Sequence, residues 1–428
     1  MKKIIFFYSC ALLMLINQAT AQVENAESIQ ADSTLTYVNG EGLFLRLGKG
    51  EGTKFNLLTT VQSGLQLSQF DSANTKKNTN RLSLNLVRVS LQVSALKDKL
   101  TVGIVTDFTS TTPILEGWIG LSFMKNRAKI ILGQKQTHTN NRLAMADERF
   151  AQTMGQTLAG KSIDGTAIGG LMQNFVGATR EGGLYLETNF SLNNWRIYPS
   201  ASITTGEGQN FFSAQPNVGF KYGGRLDILP LGDFIKNNAF IAHDIYRESK
   251  PKLAIGFAAS YNAKVSSPIG SENGVITGIY DKLGKADFAN YRKVVADFIF
   301  KHKGFALVGE FINGTVTGSE LYTNIAGTNK LTTELAGNFY NIGSSVNVQT
   351  SYVTQNGWAI DARFTTITPE FKNETSLVHN QKWYTIGINK YIKNNAVRVG
   401  INSTYINDDT PTISTKKWTS NIALQILL

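Results

Sequence analysis

From residue 54 to the last residue, the chain keeps returning to one pattern, an apolar side chain at every second position. The stretch WYTIGINKYIKNNAVRVGINSTYI, residues 383–406, shows it most plainly. Tyr384, Ile386, Ile388 and Ile392 share one parity, and Val397, Val399, Ile401 and Tyr405 share another. Thr385, Gly387, Asn389, Arg398, Gly400 and Asn402 fill the gaps. Side chains of a strand alternate between its two faces, so this is a two-stranded hairpin with one apolar and one polar face. A sandwich with the apolar face inside and a membrane barrel with the apolar face outside both write this alternation.

Helical periodicity is almost absent, whereas period-two runs recur along the chain. We place sixteen strands at 54–70, 80–95, 98–109, 113–125, 128–136, 182–191, 194–205, 216–229, 251–264, 290–302, 304–316, 343–354, 357–369, 380–392, 396–408 and 416–428, with eighteen as the alternative count. The second strand changes phase near Leu86 and Val87, the mark of a bulge. Tight turns such as HKG, TQNG and KNN alternate with longer loops, which is the asymmetry of transmembrane barrels. One connection, 230–250, is too long for the tight-turn side. A short helix is expected around 231–247, and nothing in the sequence accounts for the extra length.

The final strand decides between the two architectures. In WTSNIALQILL, Trp418, Ile422, Leu424, Ile426 and Leu428 fall on one face, with Thr419, Asn421, Ala423 and Gln425 on the other. A barrel pairs its last strand with its first and leaves no open edge, so it can finish in this way. Trp358, Trp383, Tyr384, Tyr405 and Trp418 gather at strand ends, where interfacial aromatic girdles belong. The mean hydropathy of −0.12 does not oppose this reading, because lipid-facing residues of a barrel are diluted one for one by lumen-facing ones. The fold class is therefore all-β, a transmembrane antiparallel up-and-down barrel over residues 54–428.

Lys2 and Lys3 precede an apolar run from Ile4 to Ile16, and Ala19-Thr20-Ala21 supplies the small residues of a cleavage site, so 1–21 reads as a signal peptide. Residues 22–53 are polar, are expected to be periplasmic, and end in a flexible linker, GKGEGTK. Cys10 lies in the signal segment, so the mature chain is expected to have no disulfide, cysteine-ligated zinc or cysteine nucleophile. Removing Lys2 and Lys3 leaves 40 basic against 31 acidic residues, and the formal charge goes from +11 to +9. In an exported chain that excess points to an anionic surface or an anion-attracting interior rather than nucleic acid. The expected location is the outer membrane of a Gram-negative bacterium.

Parity also sorts the charges. Inward basic residues are Arg88, Lys99, Lys129, Lys135, Arg196, Lys221, Arg225, Lys301, Arg363 and Arg398; inward acids are Asp107, Glu116, Glu187, Asp227, Asp297, Glu310 and Asp361. Each Arg or Lys would cost about 2–4 kcal/mol on the lipid face at mid-bilayer, so their confinement to one parity supports the face assignment independently. Sixteen strands enclose more room than side chains fill, which predicts a wet lumen. The insertion 137–182 holds Arg142, Asp147, Glu148, Arg149, Lys161 and Asp164. It can fold inward as a constriction or stand outside as a flap. The anion-attracting set is Arg88, Lys99, Lys135, Arg149, Arg196, Lys221, Arg225, Arg363 and Arg398, with Asp107, Glu116, Glu148 and Asp361 as constriction acids. Real anion preference and a general diffusion pore with field-orienting pairs both remain open.

His138, His243, His302 and His379 show no metal-ligand spacing and read as solvated loop residues, and no GxSxG is present. No enzyme activity, cofactor or metal is expected.

Four blocks resemble the phosphate-selective porin O and P family of outer-membrane barrels, in the form found in Bacteroidetes-type bacteria. They are NRLSLNLVRVSLQVSALKDKLTVGIVTDF, ILGQKQ leading to DERF, GSSVNVQTSYVTQNGWAIDARFTTITPEF and YTIGINKYIKNNAVRVGINSTYI. The resemblance implies a sixteen-stranded barrel, a homotrimer in outer-membrane lipid, an inward third loop and a basic lumen. Gly133, Gln134 and Lys135 match its strand-five motif, Glu148 and Arg149 its loop motif, and Arg363 its AR strand. Leu428 stands where such barrels usually end in Phe or Trp, and seven acids interrupt the basic ladder. Passive diffusion of small hydrophilic solutes, with a preference for anions such as phosphate, is the leading functional expectation. A hydrophobic-compound transporter and a non-conducting adhesin or scaffold barrel are the alternatives.

Overall fold

The computed structural model describes residues 33–48, 52–72, 75–145, 172–176, 179–210, 219–270, 274–318, 320–393, 395–409 and 414–428. A hairpin, β1 (Thr34–Val38) and β2 (Gly42–Leu47), precedes the wall. The wall strands are β3 (Thr53–Ser72), β4 (Thr75–Ala95), β5 (Leu100–Asp107), β6 (Ile114–Phe123), β7 (Ala128–Gln136), β8 (Arg180–Thr188) with its continuation β9 (Phe190–Leu192), β10 (Trp195–Thr204), β11 (Lys221–Leu229), β12 (Lys252–Asn262) and β13 (Asn290–His302). They continue as β14 (Phe305–Thr317), β15 (Gly343–Val353), β16 (Trp358–Pro369), β17 (Asn380–Ile392), β18 (Val397–Asp409) and β19 (Ser414–Leu427). Because β8 and β9 pair with the same neighbour, β10, they count as one staved strand, and the wall has sixteen.

Every wall strand pairs antiparallel with its chain neighbours, and β19 pairs with β3 from Thr415↔Ser72 to Leu427↔Thr60. The closing ladder continues into reciprocal bonds between Thr59 and Leu428, both 2.8 Å. No backbone edge is left for lipid, which is the condition for a sheet to cross a bilayer. Among the described residues no helix is long and apolar enough to do so.

The faces follow the parity of the sequence. Ile386, Ile388, Ile401 and Ile422 point outward and are exposed, while Arg398, Asn402, Thr404 and Asn421 point inward and are buried. On the outer face Tyr405 and Trp418 lie 5.0 Å apart at the loop end, and Trp358 lies under Lys390 at the turn end. Between Trp418 and the last residue, a strand rising about 3.3 Å per residue and tilted by 35–45° covers about 25 Å, the height of an outer-membrane apolar belt. Trp383 does not belong to this girdle. It sits one residue out of phase with Tyr384, so it points inward and is buried.

The register shift expected near Leu86 lies one residue earlier: Gln62 faces Leu86 and Ser63 faces Leu84, leaving Asn85 as the extra residue. The segment ahead of the first wall strand is also more ordered than its composition suggests. β2 pairs with β3 from Leu43↔Leu57 to Leu47↔Thr53, occupying the part of the β3 edge that β19 does not reach. Of the expected linker, Gly48, Gly52 and the strand start at Thr53 are described, and 49–51 and the segment 1–32 lie outside the described residues.

The expectation of a water-filled lumen is corrected. On the loop side, inward Val295, Ile312, Ile367, Trp383 and Ile406 pack with Ala144, Phe175 and Val176 from the two described ends of the insertion after β7. On the turn side, residues 231–250, which contain a 3-10 turn at Ile235–Phe240, enter the barrel mouth. Phe234, Ala239 and Ala242 pack there with Ala254, Ile299 and Val308 of the wall and with Leu143 of the loop insertion. Two insertions from opposite ends thus meet inside the barrel, and much of the interior is filled with side chains. The over-long connection is an internal plug.

Candidate permeation path and its charge network

The turn-side plug is fixed by hydrogen bonds to the wall strands and to the turn between β13 and β14. Lys301 Nζ donates to Asn238 O, Asn238 Oδ1 and His243 O at 2.6–2.7 Å. The Gly304 amide donates to Asp244 Oδ2 at 2.7 Å. Gly304 closes the two-residue turn between β13 and β14 with φ +95°, and a Cβ there would collide with Val353 O and the Arg247 guanidinium. Asp361 on β16 accepts from His243 Nε2 at 3.1 Å. Because a carboxylate only accepts, Nε2 carries the proton, and Nδ1 then accepts from Tyr391 OH at 3.0 Å. Burial holds the His243 pKa below the ordinary imidazole value; the hydrogen bond to Asp361 works against that shift, and Arg398 and Lys301 add to it.

At mid-barrel, the loop insertion is tied to the wall by a buried two-arginine, two-aspartate cluster. Arg142 donates through its backbone N at 3.0 Å and Nε at 3.1 Å to Asp297, and through Nη2 to Asp227. Arg225 forks onto Asp227 at 2.8 Å through both Nε and Nη2, and its Nη2 also reaches Asp297 at 2.8 Å. Its Nη1 donates to Asn140 O. Two cations against two carboxylates leave no net charge, and the shared hydrogen bonds offset the cost of taking four charges out of water.

The other expected site residues divide by partner. Arg88 pairs with Asp107 at 3.2 Å, both fully buried. Lys221 pairs with Glu181 at 2.6 Å, and Glu116 with Arg180 at 2.9 Å. Lys135 pairs with Glu187, which also bonds His138 Nε2 at 3.0 Å. Arg196 bonds Asp233 at 2.9 Å in the plug segment. Arg363 reaches Thr385 Oγ1 at 3.4 Å. Arg398 donates twice to Asn389 Oδ1, at 3.1 and 2.9 Å, with its guanidinium 5.6 Å from the Tyr391 ring. Lys99 is corrected: it lies exposed in the turn between β4 and β5 and lines nothing. Glu148 and Arg149 lie outside the described residues.

Sequence reasoning missed Arg180, Glu181 and Lys293, whose Nζ donates to Asn140 Oδ1 at 2.6 Å. It also misread His138 and His243 as solvated. The only sequence signal for His243 was the surplus length of its connection. Among the described residues no group of His, Cys, Asp and Glu could hold a metal ion.

Among the described residues, a cavity of about 490 Å³ stays open along the β4–β11 side, bounded by the wall and by both insertions. It runs from His138 at the loop end to Asp233 in the plug. Its lining includes the cations Lys135, Arg142 and Arg225 and the carboxylates Glu116, Glu187, Asp227 and Asp233, so the walls are charged but close to neutral in sum.

No protein-family model matches the sequence, and no curated protein matches it. Solved structures do. An anion-selective porin from Comamonas acidovorans aligns with a TM-score of 0.50 and 11% identity over 88% of this chain and 100% of that one. The outer-membrane channel DcaP of Acinetobacter baumannii aligns at 0.50 and 12% over 88% and 97%. OmpF of Salmonella typhi aligns at 0.50 and 12% over 92% and 100%. At such identities the likeness is one of fold: this chain is similar in architecture to outer-membrane porins.

Proposed function

We propose that this protein is an outer-membrane pore for passive diffusion of small hydrophilic solutes. The observation that carries the reading is the closed barrel with an apolar outer belt around a polar interior that keeps an open cavity beside its two insertions. The porin architecture of the structural neighbours supports it. The motif resemblance to the phosphate-selective porin O and P family supports the same class and a trimeric assembly.

Selectivity for anions is proposed to be weak. The mature chain's formal charge of +9, from 40 basic against 31 acidic residues, favours anions overall, and Arg398 adds a cation whose hydrogen-bond partner is a neutral amide. Inside, however, Arg88, Lys135, Lys221 and Arg225 are each matched by a carboxylate, which cancels most of the field an entering phosphate would sense. Reconstitution in a planar bilayer under asymmetric KCl tests both statements. We expect ohmic conductance and a reversal potential displaced modestly toward that of chloride. In the double variant Lys135→Glu, Arg363→Glu the displacement is expected to vanish or change sign; an unaltered reversal potential removes these two residues from the selectivity filter.

The filling of the lumen by two insertions supports a second reading, a non-conducting scaffold barrel. Absence of current across many insertions would favour it.

A further inference from the structure

Resting on the pore reading, we propose that the cavity between the β4–β11 wall and the plug is a binding subsite for a neutral polyhydroxylated solute, a mono- or disaccharide. Three features of the lining point there together. The first is aromatic surface bordering the cavity from three directions, Trp118 from β6, Tyr198 from β10 and Phe240 from the plug, all half-buried; Lys129 lies 4.8 Å over the Trp118 ring and Arg142 5.6 Å from the Phe240 ring, which makes Tyr198 the principal face. Flat apolar faces of this kind suit the C–H faces of a sugar ring.

The second feature is which polar groups are within reach. The Glu187 side chain is 35% exposed and the Asp233 side chain 52%, whereas those of Arg142 and Arg225 are 1% exposed. Glu187 accepts both of its hydrogen bonds, from Lys135 and His138, on Oε1, so Oε2 takes none among the described residues. Asp233 receives Tyr198 OH on Oδ1 at 2.7 Å and Arg196 on Oδ2 at 2.9 Å, one bond per oxygen where each has two lone pairs. The cavity therefore offers accessible acceptor capacity for hydroxyl donors.

The third feature is charge. Every lining cation is already held by a carboxylate, so a free anion would have to break an existing pair, and a free cation would meet carboxylates whose charge is already balanced by Lys135, Arg180, Arg142, Arg225 or Arg196. A neutral polyol needs no counter-charge and can use the unused lone pairs directly. The volume of about 490 Å³ is within the ordinary range of small-molecule sites and admits a disaccharide. Affinity in the millimolar range is what a conducting path requires, since the solute must also leave.

The test uses the mature protein in planar bilayers, in KCl, with maltose as probe and a polyethylene glycol of matched hydrodynamic size as control. Maltose is expected to reduce the current with a millimolar half-blocking concentration, and the polyether, which lacks the array of donors, to need at least tenfold more. Tyr198→Ala should raise the maltose value about tenfold, equivalent to about 1.4 kcal/mol, while Tyr198→Phe, which keeps the ring, stays within about threefold. Equal block by the polyether, indifference to Tyr198→Ala, or block by glucosamine or glucuronate more than tenfold stronger than by maltose would each overturn the subsite. A protein that carries no current refutes the pore and not the subsite. Calorimetric titration of maltose into the detergent-solubilised protein then decides, with saturable heat supporting the subsite and its absence overturning it.

Discussion

Replacing Lys301 by Met weakens the attachment of the plug to the barrel in a single change. The ammonium is completely buried, and all three of its hydrogen bonds go to the plug, to two backbone carbonyls and the Asn238 amide oxygen. Methionine keeps the length and apolar stem but leaves those acceptors without a donor. Hydrogen bonds to a charged group contribute roughly 1.5–3 kcal/mol each, and recovering the hydration of the buried ammonium offsets a large part of the sum. A net loss near 3 kcal/mol in docking free energy is therefore reasonable, a shift of about two orders of magnitude in the docked-to-undocked ratio. The wall ladder is untouched, because the backbone of Lys301 pairs with Ala306 and Lys252 whatever its side chain. Hydrogen–deuterium exchange should show protection lost across residues 238–248 and retained in β13 and β14, and single-channel traces should show a higher mean conductance with added noise. Unchanged exchange in the plug refutes the anchoring argument. So does a fall in the unfolding temperature of the whole barrel, which would place Lys301 among the wall's own supports.

Lowering the pH should loosen the same plug. His243 has its pKa depressed when docked, so an undocked imidazole binds a proton more readily; docking is fully favoured above about pH 6.5 and weakens as pH falls from there toward the docked value. Current noise that rises between pH 7 and pH 5 and is flat in His243→Gln is the expected result. Arg142→Ala is expected to free the described ends of the loop insertion and admit larger solutes in a liposome-swelling assay, yet to cost the barrel less than the 3–5 kcal/mol typical of a broken buried pair, because Arg225 still holds both Asp227 and Asp297. Ile386→Arg on the lipid face should lower barrel stability by about 2–4 kcal/mol in a urea-unfolding experiment, whereas Ser200→Arg, which enters the cavity, should change stability little and conductance measurably.

The wall was legible because a strand reports its environment with period two. All sixteen strands appear close to their expected bounds, and the bulge is displaced by one residue to Asn85. The same parity put Arg88, Lys135, Lys221, Arg225 and Arg398 on the inner face correctly. It went wrong where one residue breaks phase, as at Trp383, or where a turn was counted as strand, as at Lys99.

Parity says which face a side chain leaves by and nothing about what it meets there. That Arg225 would share two aspartates with an arginine from a loop 83 positions away, or that His243 would lie buried between Asp361 and Tyr391, is set by separations across the barrel that no local pattern encodes. The alternation alone determined a closed cylinder with grease outside, since hydrocarbon tolerates neither unpaired backbone nor charge. Only the tertiary structure decided how much of the interior is solvent and which charges remain in reach of a solute, because the two insertions that fill it come from opposite ends of the barrel and are positioned by contacts with distant strands rather than by their own sequence.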